Sequence, residues 1–299
     1  MRLHQDWLTP GFDREPLAPR TGPFPKREFL RTWWETRGSA DLLIAETSTA
    51  LLPLYDDESV RFCGEPDLTD YHSPLGDNLT DLTEGLRSEL AGRRFRFDSL
   101  PIEAALPLAD ALTATGTAVE MQQHHAAAVL ALPSSSDGWL AQMSKRHRHE
   151  VRRKRRRFVE EFGEPLLVPT SDGFSAFEAM HRSAPGEKGA FFAESGMAEF
   201  FSALVATAGA AIDLMTTADG TPVAGAIGFE TADDYFLYNS AYDSGMAHAS
   251  PGVVLLSMLV QRQIERGATV VDFMKGDEAY KFNLGAVARP LYELTGAFA

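Results

Sequence analysis

Near the C-terminus an aromatic residue and a lysine stand side by side as Tyr280-Lys281, just after the charged, glycine-broken run Lys275-Gly276-Asp277-Glu278. A lysine ammonium is a compact point charge suited to a developing oxyanion or to a phosphate. A neighbouring tyrosine can position a ligand. The preceding residues, Thr269–Met274, read as an apolar strand interrupted by Asp272, and Gly285 follows. The strand fixes the backbone, and the loop with Lys281 faces a ligand. A strand, a turn and a solvated helix start is the plain alternative.

Ser250-Pro251-Gly252 is the second group. Proline favours a first helical turn, and glycine lets the backbone come close to a ligand. Exposed amides and the helix dipole there favour an anion. Simple capping is the alternative. With Lys275, Gly276 and Asp277, these residues form a candidate donor-binding set. Asp67, Asp70, Tyr71 and His72 form a third group, in a polar loop that ends Ser73-Pro74-Leu75-Gly76. An acid or imidazole in this loop, Asp70 above all, can orient or deprotonate an acceptor amine. Tyr71, His72 and Tyr238, the last in the strand Tyr235–Ala241, are candidate acceptor contacts. A solvated turn is the alternative for the loop.

Residues 144–157, SKRHRHEVRRKRRR, carry nine of the 28 Lys and Arg residues, although the chain has a net charge of −14. Like charges at i,i+4, such as Arg148/Arg152, Arg152/Arg156 and Arg153/Arg157, repel and call for a counter-anion. Lys145, Arg148, Arg152, Arg153, Arg155 and Arg156 are therefore a candidate phosphate or tRNA patch. The acidic remainder of the protein is the other possible partner. No DNA-binding fold signature accompanies the block, so duplex DNA is not expected. Gly-x-Ser-x-Gly is absent, and the single Cys63 has no evident histidine partner. The pattern favours direct transfer of an activated group over a covalent enzyme intermediate. His124-His125 are adjacent on a strand pattern, and His147/His149 stand at i,i+2. Neither pair suits a metal, and no metal is expected.

The elements that must position these residues follow from pattern. Pro25–Gly38 predicts a helix, Leu42–Ala45 and Ala50–Tyr55 a hairpin, and Val60–Cys63 a strand. A helix over Thr80–Leu90, a strand over Arg93–Phe97 and a helix over Glu103–Thr113 follow. Ala118–Met121 and Ala126–Leu132 read as two strands, and Ser135–Met143 as a short helix capped by Ser136 or Asp137. The basic helix spans 144–162, anchored by Val151, Phe158 and Val159. Leu166–Val168 is a strand, and helices lie near 172–183 and 196–207. Strands at Ala211–Thr216, Val223–Glu230 and Tyr235–Ala241 precede a helix over 251–266, the strand 269–274, a short helix and a last strand, Pro290–Leu294. Residues 1–22 read as an irregular lead-in. The expected domains are 23–142 and 143–299, the second opening on the basic helix.

The Tyr280-Lys281…Gly285 motif, the Ser-Pro-Gly helix start, the Asp70-Tyr71 pair and the Ser-Lys-x-Arg-x-x-x-Arg-Arg run resemble, in the same order, the GNAT-like acyltransferases related to the cellulose-biosynthesis protein CelD. They are also similar to the Fem-type aminoacyltransferases of peptidoglycan synthesis. His248-Ala-Ser-Pro-Gly252 departs from the usual GNAT Arg/Gln-x-x-Gly-x-Gly/Ala loop. The resemblance implies an α/β (α+β) protein of duplicated GNAT-like folds, two domains with mixed, mainly antiparallel sheets. It implies N-acyl transfer to an amine of a small molecule or of an envelope or natural-product precursor, with Tyr280 and Lys281 near the reacting carbonyl. Acyl-CoA or aminoacyl-tRNA would be a co-substrate, and no cofactor would be permanently bound. Strict dependence on aminoacyl-tRNA is one alternative, and a non-catalytic protein that binds an anionic ligand is another. With one cysteine, no apolar leader and no run of about 18 apolar residues, the chain is expected to be cytoplasmic and not inserted in a membrane.

Overall fold

Apolar residues at helical spacing alternate with short β-branched runs, and the computed structural model, which describes residues 1–299, folds them into 13 strands and ten α-helices. The first part contains β1 (Arg2–His4), α1 (Arg27–Arg37), β2 (Asp41–Glu46), β3 (Ala50–Asp56), β4 (Val60–Phe62), β5 (Leu75–Gly76), α2 (Thr80–Glu89), β6 (Arg94–Pro101), α3 (Ile102–Ala114) and β7 (Ala118–Ala131). There follow α4 (Ser136–Gln142), α5 (Lys145–Phe162), β8 (Leu166–Thr170), α6 (Phe174–Arg182), α7 (Glu187–Ala190) and α8 (Met197–Thr207). The chain closes with β9 (Ala211–Thr216), β10 (Pro222–Glu230), β11 (Asp234–Tyr242), α9 (Pro251–Arg266), β12 (Val270–Lys275), α10 (Ala279–Asn283) and β13 (Val287–Ala297).

Two units emerge, residues 1–127 with 289–299, and residues 128–288. The expected division lay at 142/143. The tail joins the first unit because β13 pairs antiparallel with β6, Leu291 opposite Pro101 and Ala297 opposite Arg94.

In the first unit β1, β2, β3 and β4 pair antiparallel in sequence, and β4 meets β6 in parallel at Val60–Phe95. Leu52, Leu54, Phe62, Leu82, Leu86, Phe95, Phe97, Leu108 and Leu112 fill its core. The lead-in is more ordered than its composition implies. Residues 2–4 form β1, and Gly76 N–H donates to the Glu15 carbonyl while Leu17 N–H donates to that of Pro74. The 67–76 segment is correspondingly no solvated loop, since Leu68 through Leu75 are buried. The single strand β7 replaces the two strands expected between 118 and 132, and His124 and His125 lie within it. Their rings sit 4.0 Å apart, so side-chain rotation overrides the alternation of the backbone.

The second unit orders its strands β8-β9-β10-β11-β12. All pairs are antiparallel except β11 with β12. The long α9 crosses between those two parallel strands. It starts with Pro251, buries Val254, Leu255, Leu259, Val260 and Ile264, and stops at Gly267 with φ +84°. The second unit thus has a parallel pair joined through a helix, β11-α9-β12, and the first has a parallel pair of its own, β4 and β6, with β5 and α2 between them. The cap of α4 is Ser135, one residue before the expected position. Its hydroxyl accepts from Gly138 N–H.

Trp139 of α4 is fully buried and donates through Nε1 to the Leu284 carbonyl at 2.9 Å, tying α4 to the end of α10. Trp139→Ala should cost about 3–5 kcal/mol in urea unfolding. A loss under about 1 kcal/mol would show that this anchor does not hold the end of α10.

Candidate active site

The parallel register of β11 and β12 covers Asp234–Val270, Tyr235–Val271 and Phe236–Asp272, and then ends. β11 continues to Tyr242 and β12 to Lys275, so the two strands part. The departure is built on both sides. On β12, Met274 takes a left-handed φ of +64°, its N–H bonded to Asp272 Oδ1 at 2.8 Å, and Gly276 follows at φ +120°. A left-handed conformation is unfavourable for a residue with a side chain. Lys281 holds the turn. Its Nζ donates to the carbonyls of Lys275 (2.6 Å) and Met274 (3.4 Å) and pairs with Glu278 at 2.9 Å. Lys281 is only 3% exposed. The expected catalytic cation is therefore a buried clamp on the loop.

On β11 the ladder with β10 shifts. Ile227 faces Asn239 and Gly228 faces Leu237, so Tyr238 is the extra residue of a β-bulge. A bulge reverses which face the following side chains take. Tyr238 is partly exposed and stacks on Phe201 at 5.2 Å, and Phe229 meets it edge-on. Asn239, the next residue, is half-buried, and its side chain is one of the groups that act on the His181 imidazole.

The start of α9 lies beside these strands. Ser250 occupies a left-handed φ of +58° and Pro251 is buried. A β-carbon on Gly252 would stand 3.2 Å from Tyr242 Cδ1, so glycine admits the Tyr242 ring. Lys188 Nζ lies 5.9 Å from the centre of that ring. Lost hydration lowers the Lys188 pKa, partly offset by Glu278. The second unit thus gathers Gly252, Tyr242, Lys188, Glu278 and Lys281. Lys275 is half-exposed, and Asp277 is exposed.

A cavity of about 70 Å³ lies where α5 packs against α9 and α10, lined by His147, Glu150, Val151, Lys154, Val253, Tyr280, Asn283 and Leu284. Burial and the Glu278 carboxylate raise the Tyr280 pKa, so its phenol stays protonated and able to donate. Of the basic residues on α5, Arg153 pairs with Glu150 at 2.7 Å, Arg156 with Glu160 at 4.0 Å, and Arg155 with Glu164. Arg155 also donates to Gln261, and Arg148 to the Leu140 carbonyl. Lys145, Arg146, Arg152 and Arg157 are exposed and make no ion pair. Part of the counter-charge expected for this helix is therefore its own.

Asp70, Tyr71 and His72 belong to the first unit and are buried in it. His72 Nδ1 lies 2.9 Å from the Asp98 carbonyl oxygen, and its ring stacks on Phe62 at 5.0 Å. Arg289 lies 5.1 Å above the Tyr71 ring. These are interior contacts of that unit, and the solvated turn that was the alternative for this loop does not form. Sequence reasoning missed His181, Lys188, Asn239 and Tyr242. The polar Asn239 inside an apolar strand was the available signal. His181 occupies an inward position of an amphipathic helix and gave none.

Residues 145–282 match the family model described as an acetyltransferase (GNAT) domain. The comparison with curated proteins gives no match. Among solved structures, a conserved protein of unknown function from Bacteroides thetaiotaomicron VPI-5482 is similar at a TM-score of 0.66 and 12% identity, over 99% of each chain. FemX is similar at a TM-score of 0.65 and 11% identity, over 96% of this chain and 94% of its own. L-PGS from Bacillus licheniformis gives 0.58 and 12%, over 91% and 92%. At such identities the likeness is one of fold. The fold is GNAT-like, and the match supports acyltransferase chemistry in general. No helix is long and apolar enough to cross a membrane.

His181 is 3% exposed, and burial, with Lys188 nearby, lowers its pKa to about 4. The folded state therefore binds fewer protons than the unfolded chain between about pH 4 and about 6.5. The stability that His181 supplies is full above about pH 6.5 and falls as pH drops toward 4. The stability difference between wild type and His181→Gln should change by up to about 3 kcal/mol across that window in urea titrations. A difference independent of pH would refute a neutral, buried imidazole. Lys281→Met should cost about 2–4 kcal/mol through two carbonyls left without their cation. An unchanged urea midpoint would remove Lys281 from the clamp.

Proposed function

We propose that the protein is an N-acyltransferase that moves an activated acyl group, carried by coenzyme A or by a transfer RNA, onto the amine of a small molecule or of an envelope or natural-product precursor in the cytoplasm. The observation that carries this reading is the parting of β11 and β12 beside the start of α9. Two parallel strands that separate offer an extended, amide-bearing chain a backbone edge to join. The start of α9, with Gly252 and with Lys188 close by, suits the phosphates of the donor. Tyr280, Lys275, Gly276 and Asp277 are the residues we assign to the donor's approach. The amine nitrogen attacks the acyl carbon, and the N–C bond forms. The bond to the thiol or ribose oxygen breaks, and the proton lost by the amine ends on that leaving group. Lys281 acts on this step by holding the loop.

A transfer RNA donor is favoured by one observation, the unpaired Lys145, Arg146, Arg152 and Arg157 on the outer face of α5. They extend over about 18 Å of helix, enough to meet several phosphates.

Transfer should be detectable by mass spectrometry with acetyl-CoA or alanyl-tRNA and a panel of primary amines. Absence of transfer from both donors, with binding retained, would favour the non-catalytic alternative. If tRNA is the donor, replacing the four unpaired cations by Gln should flatten the slope of log affinity against log salt by about 3–4. An unchanged slope would remove α5 from the RNA surface.

A further inference from the structure

One cavity of the second unit, where α5 packs against the start of α9 and against α10, has no part in the transfer step. Its floor is apolar: Leu284 is buried, and Val151 and Val253 are half-buried. Its polar groups are unspent, since neither the Tyr280 phenol nor the Asn283 amide bonds to the protein. These two stand at i,i+3 on α10 and so share a face. The carboxylate and the ammonium on the wall, Glu150 and Lys154, lie 3.8 Å apart and offset each other. At about 70 Å³ the cavity has room for about five to seven water-sized atoms, enough for one edge of a purine. Such a space selects a flat, neutral group with an apolar face and a hydrogen-bonding edge, and its balanced charges do not favour a phosphate.

Two further observations say which flat group. Val253 directly follows Gly252, where the phosphates of the donor are assigned, so the occupant is joined to a phosphate by a short link. The exposed, unpaired cations Lys145, Arg146, Arg152 and Arg157 belong to the same α5 whose Val151 walls the cavity. Phosphates on the outside of a helix and a neutral flat group on its inside reproduce the division between backbone contacts, which position, and base contacts, which specify. Coenzyme A and the 3′ end of a transfer RNA share one such group, an adenine one sugar away from a phosphate. An asparagine amide matches the N6/N7 edge of adenine with two hydrogen bonds, and an aromatic ring packs on the face of an unstacked base.

We propose that this cavity holds the terminal adenine of the acyl donor, with Asn283 Oδ1 accepting from the N6 amino group, Asn283 Nδ2–H donating to N7, and the Tyr280 ring against the base. This inference rests on the acyl-transfer reading. Asn283 acts in binding and gives up no proton. In an aminoacyl-RNA the ester stands on the ribose of that same adenosine, so the base contact also places the reacting carbonyl. In coenzyme A the adenine lies at the far end from the thioester, and the contact serves affinity alone. Lys281, which holds the loop, stands on α10 between Tyr280 and Asn283, so one short helix carries both the loop clamp and the base contacts.

The test titrates full-length protein by calorimetry with two pairs of probes, coenzyme A and an RNA minihelix ending in CCA, each with adenine or with 7-deaza-adenine as its terminal base. The deaza base keeps its shape and lacks the N7 acceptor. Wild-type protein should bind the natural member of a pair about tenfold more tightly. Asn283 is exposed and tolerates replacement. In Asn283→Ala the natural probe should fall to the affinity of its deaza partner, and the two should bind alike. Val151→Trp, which fills the cavity from α5, should weaken the natural probe by at least the same factor. Near-ultraviolet dichroism reports whether each variant is folded, and Asn283→Ala carries the test should Val151→Trp unfold. The pair that shows the preference identifies the source of the adenine. If a probe binds but neither pair shows a preference, or if the preference survives in Asn283→Ala, the inference is overturned and the acyl-transfer reading stands. If no probe binds wild-type protein, the acyl-transfer reading falls, and the inference with it.

Discussion

Two backbone carbonyls, those of Met274 and Lys275, converge on the Lys281 ammonium. Converging carbonyl dipoles repel each other, and a left-handed residue with a side chain is unfavourable in addition. A buried cation removes the first cost and stabilises the second. Because Lys281 sits on α10, the clamp fixes the direction in which the chain leaves β12 and the angle at which α10 begins. The orientation of Tyr280 follows from the same bond set, as does the position of Glu278 between Lys281 and Lys188. Without the clamp β12 would have no reason to stop tracking β11 at Asp272. The gap between these strands is the feature from which every chemical property assigned to the second unit derives.

The other wall of the gap is governed by packing. Phe177, Phe191, Phe192, Phe200 and Phe201 come from α6, α8 and the turn between α7 and α8, and they form a nearly continuous aromatic layer. Such a layer excludes water, and in it a hydrogen bond is electrostatically stronger than at the surface. One polar group placed there must be neutral or paired. His181 satisfies this by staying unprotonated. The bulge at Tyr238 puts that ring on the aromatic layer, stacked on Phe201.

Much of this was legible in the residues. The helix from Pro251 to Arg266 could be placed from its proline, its apolar stripe and its terminal glycine, and β9 to β12 from their largely apolar runs. The Tyr280-Lys281 pair drew attention to this loop, and the structure adds that the Lys281 ammonium is bound by the loop's own carbonyls. Nothing in a one-dimensional pattern distinguishes a lysine that faces a ligand from one whose ammonium is consumed by the carbonyls of its own loop. For the 67–76 segment the solvated turn was the alternative reading, and Leu68 through Leu75 are buried, with residues 15–18 bonded to Ser73, Pro74 and Gly76, long-range contacts invisible in local composition. The bulge at Tyr238 was also hidden, because register belongs to a pair of strands and not to one.

The charge on α5 follows from the same accounting of partners. A helix with nine Lys and Arg residues in 14 positions is unfavourable by itself. Glu150, Glu160 and Glu164 neutralise part of the charge locally, and buried Phe158 and half-buried Val151 hold the helix down. Exposed pairs of this kind contribute about 0–1 kcal/mol each, so they lessen the repulsion without explaining why so many cations are present. The cations divide by position. Lys154 lines the cavity beside Tyr280, Arg148 and Arg155 bond to the protein, and Lys145, Arg146, Arg152 and Arg157 are left in solvent. The remaining 285 residues hold 41 of the 42 acidic side chains, so anions are repelled over most of the surface and attracted at this one helix. The helix therefore keeps a local positive face on a chain whose remaining charge is strongly negative.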